Sequence, residues 1–490
     1  MMPRRSGSTG HEAFDQRIGL ALRRLGVDDA PSRLARLRGL VDAVAAQPTG
    51  DNLWLLFVSL SGAFPESDDV IALRRAIELA VDSDARVDAT LAVVHDAAIE
   101  RGSWDRPMRL VPGGTLVEVD FCAKHEHNSG IQRVVRETVM RWEGSHEIEL
   151  VAWVVHGSAL RGLYDHERDR VLKWGSSDRE RGEIASPHTA DLVVPVGGRI
   201  IVTEVPSVAS CRWLAAIAEH TSTEVHLIGY DTIPLGSADH LPALESERFA
   251  RYLELVKYAT SVVTISDAAG EEFRGFVDAV RVQDVSGPRV EAVVLPGEFP
   301  GTSHRDNPVR QSGLVLCVGS HEGRKNQRAL VFAAERLTRE GIPISLHLVG
   351  RGSASFIGAF DADVAAARSR GVDVRVRRDV GDAELAELYS TARVVAFPSL
   401  QEGFGLPIVE ALAHGTPVLT SSYGSMAEVA SAGGCVVVDP RDDEAIVAAL
   451  RSMLTDEQAY ERLRAEARAR PHRSWNDYAE QTWDAFGGAR

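Results

Sequence analysis

"SLQEGFGLPIVEALAHGTPVL", residues 399–419, puts Glu402 ahead of a Gly-aromatic-Gly turn and Glu410 inside the helix that follows. Upstream, RVVAF (393–397) is a β-branched run that reads as a strand. Pro407 marks the helix start, because a first-turn proline gives up an N–H that lacks a partner there anyway. Gly403 and Gly405 let the backbone come close to a ligand. The free N–H groups of the helix start then offer an anion site. Glu402 can accept hydrogen bonds from sugar hydroxyls, and Glu410, about one turn into the helix, can reach a second polyol such as a ribose. Either glutamate alone reads as a solvated charge. The spacing, the glycines and the proline together argue for a polyhydroxylated anion held at the end of a strand.

Similar strand–loop–helix units surround this stretch. GLVLCVGS (313–320), SLHLVG (345–350), VDVRVRRDV (372–380), TPVLTSS (416–422) and GCVVVDP (434–440) are strands, with helices between them. An earlier series runs through TLVEVDF (115–121), ELVAWVV (149–155), RIIVTEV (199–205), EVHLIGYD (224–231), SVVTISD (261–267) and EAVVL (291–295). Strands that alternate with helices predict parallel sheets covered on both faces. Two such series predict an α/β chain with two Rossmann-like domains facing across a cleft, ligands lying at the carboxyl ends of the strands.

Residues 11 to about 105 read as helices. Val87, Leu91, Val94 and Ala98 share one face, with Ser83 as the cap; Val70, Leu73 and Ile77 share another, with Ser67 as the cap. LWLLFVSLSGAF (53–64) is too short to span a bilayer and reads as a core helix. The expected organisation is a helical extension and linker at 1–114, with the linker at 101–114. A first Rossmann-like domain then spans 115–300, a second 301–470 and a closing helix 471–490.

Further residues stand at strand ends. In LCVGSHEGRKNQ, Gly319 ends a strand and Arg324 and Lys325 follow in the loop. Two cations there suit a diphosphate, although an RK pair is more often an exposed turn. In KHEHNSGIQRVVRE, Gly130 opens a helix and can bring amides to a phosphate or a reacting sugar. His125 and His127 have no third ligand nearby, so no metal is expected. Tyr230-Asp231 closes EVHLIGYD, and Asp231 fits a substrate contact or a turn cap equally well. Gly350-x-Gly352 lacks the third glycine of a dinucleotide fingerprint.

Composition sets the outer limits. The 490 residues carry a net charge of −16, with 44% hydrophobic and 25% charged residues. No global field draws such a chain to nucleic acid. Its four cysteines are far apart and form no CxxC pair, and the three in or beside apolar runs, Cys122, Cys317 and Cys435, read as reduced, buried thiols. The start, MMPRRSGSTGHE, has no apolar segment of a secretory signal, so a cytoplasmic location is expected, with peripheral contact at the inner membrane face left open.

From about 115 to 485 these pieces resemble glycosyltransferase family 4, the retaining enzymes of the GT-B fold, in its mannosyltransferase-like group. The E-x7-E signature is matched by Glu402 and Glu410 with GFGLP between them. The resemblance implies that Glu402 binds the donor sugar, that the amides of Gly403, Phe404, Gly405 and Leu406 bind sugar and phosphate, and that Glu410 binds the ribose. It places the diphosphate on Arg324 and Lys325 and a glycine loop at Gly130, and it makes HRSWNDYAEQTWDAF (472–486) a helix that crosses back to the first domain. Two positions depart from the family pattern: Tyr230-Asp231 stands for His-Asp, and Ala427-Glu428 for Pro-Glu.

The activity this resemblance implies is transfer of a hexose, with retention, from a nucleoside diphosphate sugar to an acceptor hydroxyl on a glycan or lipid, in polysaccharide or glycolipid synthesis. GDP-mannose is the first candidate donor, and no cofactor is required. An epimerase of the same fold and a non-catalytic sugar-nucleotide-binding scaffold remain as alternatives. The helical extension would be a surface for a protein partner or a second copy.

Overall fold

The computed structural model describes residues 8–154, 158–174, 190–298, 309–352, 354–471 and 473–488. Its second sheet is the simpler one. It contains β10 (Gln311–Val318), β11 (Ser345–Val349), β12 (Asp373–Arg377), β13 (Ala392–Phe397), β14 (Val418–Ser421) and β15 (Cys435–Val438). All are parallel, in the order β12-β11-β10-β13-β14-β15. Valine-rich strands such as β13 are buried along their whole length, as a sheet covered by helices on both faces requires. The strand order reverses between β10 and β13, and such a switch point leaves a crevice at the carboxyl ends of the two strands.

The first sheet has nine strands among the described residues. They are β1 (Met108–Pro112), β2 (Thr115–Glu118), β3 (Glu149–Trp153), β4 (Leu160–Gly162), β5 (Leu192–Val196), β6 (Arg199–Val202), β7 (Glu224–Gly229), β8 (Ser261–Thr264) and β9 (Arg289–Ala292). Their order is β1-β5-β4-β3-β2-β6-β7-β8-β9. Four features differ from the sequence reading, the first being β5 itself, which is not among the expected strands. β4 runs antiparallel between β3 and β5, so this sheet is mixed. Within the expected linker, residues 108–112 form β1, an edge strand on β5 whose closing Pro112 is tolerated because one side needs no partner. The strand expected at 291–295 lies at 289–292.

The N-terminal helices are Ser8–Arg24, Arg33–Ala46, Gly50–Ser61, Ser67–Leu79 and Ser83–Glu100. Leu53 to Ser61 are all buried, so Gly50–Ser61 is the central helix of this region. Ring contacts Trp54–Phe64–Trp153–Trp213 carry its core into the first sheet, so extension and sheet share one hydrophobic cluster. The expected caps move by one residue. Glu66 caps the fourth helix with Asp69 in a reciprocal box, and Asp82 caps the fifth; Ser67 and Ser83 instead donate to Glu219 and Asp42. The fifth helix buries Val87, Thr90, Val94 and Ala97, while Leu91 is exposed.

Two segments join the domains, one near Glu298 and one that returns to the helix Trp475–Ala485. They are tied together where Trp475 N donates to the Glu298 carboxylate at 2.8 Å and Trp475 Nε1 to the Glu298 carbonyl at 3.2 Å. The returning helix packs on the helix Gly130–Ser145 of the first domain. Trp142 Nε1 donates to Ala479 O, and Trp483 is stacked on His146 at 3.8 Å and covered by Arg199 at 4.5 Å. Trp483→Ala should therefore cost about 3–5 kcal/mol and detach this helix. Denaturant unfolding followed at the first domain should show that loss, and Trp483→Phe should show a smaller one.

Candidate functional site

The switch point assembles the charged residues. Gly319 follows β10 with φ of +147°, a conformation that glycine adopts freely, and the chain turns into a short 3-10 stretch, Gly323–Lys325. The loop after β13 brings Glu402 against it. Lys325 Nζ lies 2.6 Å from Glu402 Oε1 and Arg324 Nη1 lies 3.1 Å from Oε2. Arg324 also donates to Gln401 O and pairs with Glu322, while Lys325 sits 5.0 Å from the Phe397 ring centroid. Burial raises the pKa of Glu402, but the Lys325 and Arg324 charges outweigh it and hold the carboxyl below its ordinary value. Arg324 and Lys325 are thus held by Glu402 and Glu322 in a preformed cluster of two cations and two anions.

Glu410 lies in the helix Leu406–Ala413 and is buried. Its Oε1 accepts from Arg133 Nη1 at 2.5 Å, and its Oε2 accepts from the Tyr389 hydroxyl at 2.8 Å. Burial pushes its carboxyl up, against the pull of Arg133. Gly405 starts this helix with φ of +104°. Phe404 turns its ring into the core, so only its amide remains for a ligand. Gly130, the first residue of Gly130–Ser145, adjoins Leu406, the first of the other helix; a Cβ there would stand 3.3 Å from Leu406 Cδ1. Two positive helix ends, one from each domain, thus meet at one place.

Asp231 follows β7 and faces the loop after β13. Its Oδ1 accepts from Ile233 N at 3.1 Å, so it is a turn cap, and burial pushes its carboxyl up to about 6. A Cβ on Gly403 would lie 2.7 Å from Tyr230 O and 3.1 Å from Asp231 Oδ2. The glycine that the sequence suggested for ligand approach therefore lets the two domains meet. Tyr230 is buried and its hydroxyl donates to Thr203 O, so its side chain is not presented at the cleft. Gly350 and Gly352 are also close-approach positions, which pack the loop after β11 on Gly319 and His321.

Around Gly403 the domains share further bonds that sequence reading did not find. Ser237 donates to the Gln401 side chain, which donates to Glu272. Ser266, the N-cap of the helix Asp267–Val280, donates to Gly403 O. Glu428 of the second domain accepts from Asp267 N and Ala268 N at the same helix start. Arg133, Tyr389 and Gln401 were also missed. Gln401 adjoins Glu402 and Arg133 lies three residues past Gly130, but their partners are remote in sequence and left no signal.

His125 and His127 pack on Phe121, and their carbonyls accept from Arg136. Among the described residues, no group of three His, Cys, Asp or Glu is placed to hold a metal. No helix among them is long and apolar enough to cross a membrane.

Residues 302–470 match the family described as "Glycosyl transferases group 1". O-antigen chain mannosyltransferase B of Escherichia coli is 35% identical over 181 residues, covering 36% of this chain and 45% of that protein. The serotype-specific mannosyltransferase WbdA of Escherichia coli is 29% identical over 401 residues, covering 74% of this chain and 43% of that one. The chain thus spans less than half the length of these relatives. Anabaena HepE, solved with UDP and glucose, superposes with a TM-score of 0.53 at 12% identity, covering 77% of this chain and 100% of that chain. At 12% identity this likeness is one of fold, and the fold is GT-B, with two α/β domains.

Gly403→Ala should force the domains apart, since the nearest obstacle is the backbone oxygen of Tyr230. Small-angle scattering should report a larger radius of gyration than wild type, with both domains still folded.

Proposed function

We propose that the protein is a retaining hexosyltransferase that moves a sugar from a nucleoside diphosphate donor to an acceptor hydroxyl on a glycan or a lipid-linked glycan. The observation that carries this reading is the preformed Arg324–Lys325–Glu402 cluster at the switch point, beside the start of the helix Leu406–Ala413. The diphosphate takes the two cations and the amides from Gly403 to Leu406. Glu402 accepts from donor sugar hydroxyls through its remaining lone pairs, and Glu410 accepts from the ribose. The relatives named as mannosyltransferases favour mannose as the hexose, with GDP-mannose as the first donor to try.

As the glycosidic bond breaks, negative charge builds on the leaving diphosphate. Fixed cations and amides stabilise that charge more in the transition state than in the ground state, and no reorganisation is needed at that moment. The acceptor oxygen attacks on the face from which the diphosphate leaves, and the departing phosphate takes the acceptor proton. Asp231 lies against the donor loop, where its carboxylate offsets positive charge growing at the anomeric carbon.

Lys325→Ala should lower kcat/KM about a hundredfold, the typical cost of one transition-state donor. Unchanged turnover would remove the diphosphate assignment. A thermal-shift series over GDP- and UDP-sugars tests donor binding directly, since a ligand at a hundred times its Kd stabilises by about 2.7 kcal/mol. Burial keeps Asp231 protonated below about pH 6 and lets it ionise above. Turnover should therefore rise through that pH, and Asp231→Asn should lower the rate and flatten the acid limb of the kcat/KM profile.

A further inference from the structure

Arg133 stands at a junction that donor binding alone does not explain. It lies one turn into the helix Gly130–Ser145 of the first domain, and its guanidinium reaches three other segments. Nη1 contacts Glu410 Oε1 at 2.5 Å, Nη2 donates to Glu298 O at 2.8 Å, and the group lies 5.7 Å from the Trp475 ring centroid. Glu298 and Trp475 mark the two segments that join the domains, and they are bonded to each other. One side chain therefore touches the first domain's helix start, both connections and the second glutamate of the motif.

The pairing fixes how Glu410 is presented. Arg133 holds one carboxylate oxygen from the first domain and Tyr389 holds the other from the second, so the carboxyl plane cannot rotate freely. A carboxylate has about four acceptor sites, and these two bonds leave sites on both oxygens, as a vicinal diol needs. We propose that Arg133 is a positioning residue for the donor, orienting Glu410 for the ribose hydroxyls and tying that grip to the closed arrangement of the two domains. This rests on Glu410 being the ribose ligand.

The surroundings of Glu410 define a readout that a purely structural role would not move. Arg133 is the cation bonded to the carboxylate; Tyr389 and Asp382 face it from the helix Asp382–Thr391, and His414 stacks on Tyr389 from the end of its own helix. Burial already pushes Glu410 toward its neutral form, and Asp382 adds to the push, with Arg133 the leading opposing charge. Without Arg133 that opposition is lost and the neutral form of Glu410 is favoured further, and a protonated carboxyl loses acceptor capacity for a diol.

The test compares GDP with 2′,3′-dideoxy-GDP, and UDP with its dideoxy analogue, as ligands of the full chain by calorimetry at several pH values. Wild type should prefer the ribose form of its own nucleotide by about tenfold or more, as expected for one charge-assisted hydrogen-bond set. Glu410→Gln should abolish that preference; if the preference survives intact, the ribose reading fails. Arg133→Gln should also lose the preference at neutral pH and regain part of it as pH rises, with donor KM raised more than kcat is lowered. Arg133→Lys should keep most of it and show that the chain folds. If Glu410→Gln loses the preference while Arg133→Gln keeps it at every pH, the ribose reading stands and the role given to Arg133 is overturned.

Discussion

The buried ionised Glu402 governs the second domain's cleft. A carboxylate taken out of water alone would protonate, because desolvation penalises the charged form. Here two cations from one short turn outweigh that penalty. Their own positions depend on it in turn, since removing one member of a buried charge set leaves an uncompensated charge at a cost of about 3–5 kcal/mol. The turn after β10, the loop after β13 and the start of the helix Leu406–Ala413 are thus locked by mutual electrostatic need. Glu402 and Glu322 together fix both cations in place before any ligand arrives.

The second constraint is the contact between domains. At Gly403 the backbone of one domain lies on the backbone of the other, with Tyr230 O too near for any Cβ. Around it, bonds cross in both directions, from Ser266 to Gly403 O and from the amides of the helix Asp267–Val280 to Glu428, and back from Gln401 Nε2 to Glu272. A helix start in the first domain is therefore satisfied by a carboxylate of the second, where the helix dipole favours negative charge. Asp231 is brought to the donor loop by the same approach. The contacts between the domains and the contacts at the site therefore share residues.

Much of this was legible in the sequence because the site is made of turn chemistry. Gly319, Gly405, Pro407 and the RK pair announce strand ends and helix starts locally, and the cleft arises from the alternation of strands with helices. What sequence could not show is who meets whom. Arg133 and Glu410 are 277 residues apart, and Ser266 and Gly403 are 137 apart. Periodicity carries no information about such pairs. Gly403 looked like a place for a ligand because a glycine marks close approach without naming the neighbour. The caps slipped by one residue because an acidic side chain, Glu66 or Asp82, precedes each serine and takes the capping position. β4 has only three residues, too few for a period to appear.

The two glutamates of the motif are both buried and both bonded to a cation, yet their carboxyls shift in opposite directions. The difference lies in the partners. Glu402 has Lys325 and Arg324, and their combined charge defeats burial. Glu410 has Arg133 and a neutral phenol, and burial wins. Paired carboxylates driven apart by their surroundings are a way of giving one residue type two tasks. Glu402 is a permanent anion that balances fixed cations. The ionisation of Glu410 is favoured by a guanidinium contributed by the other domain, so it is coupled to the contact between the domains.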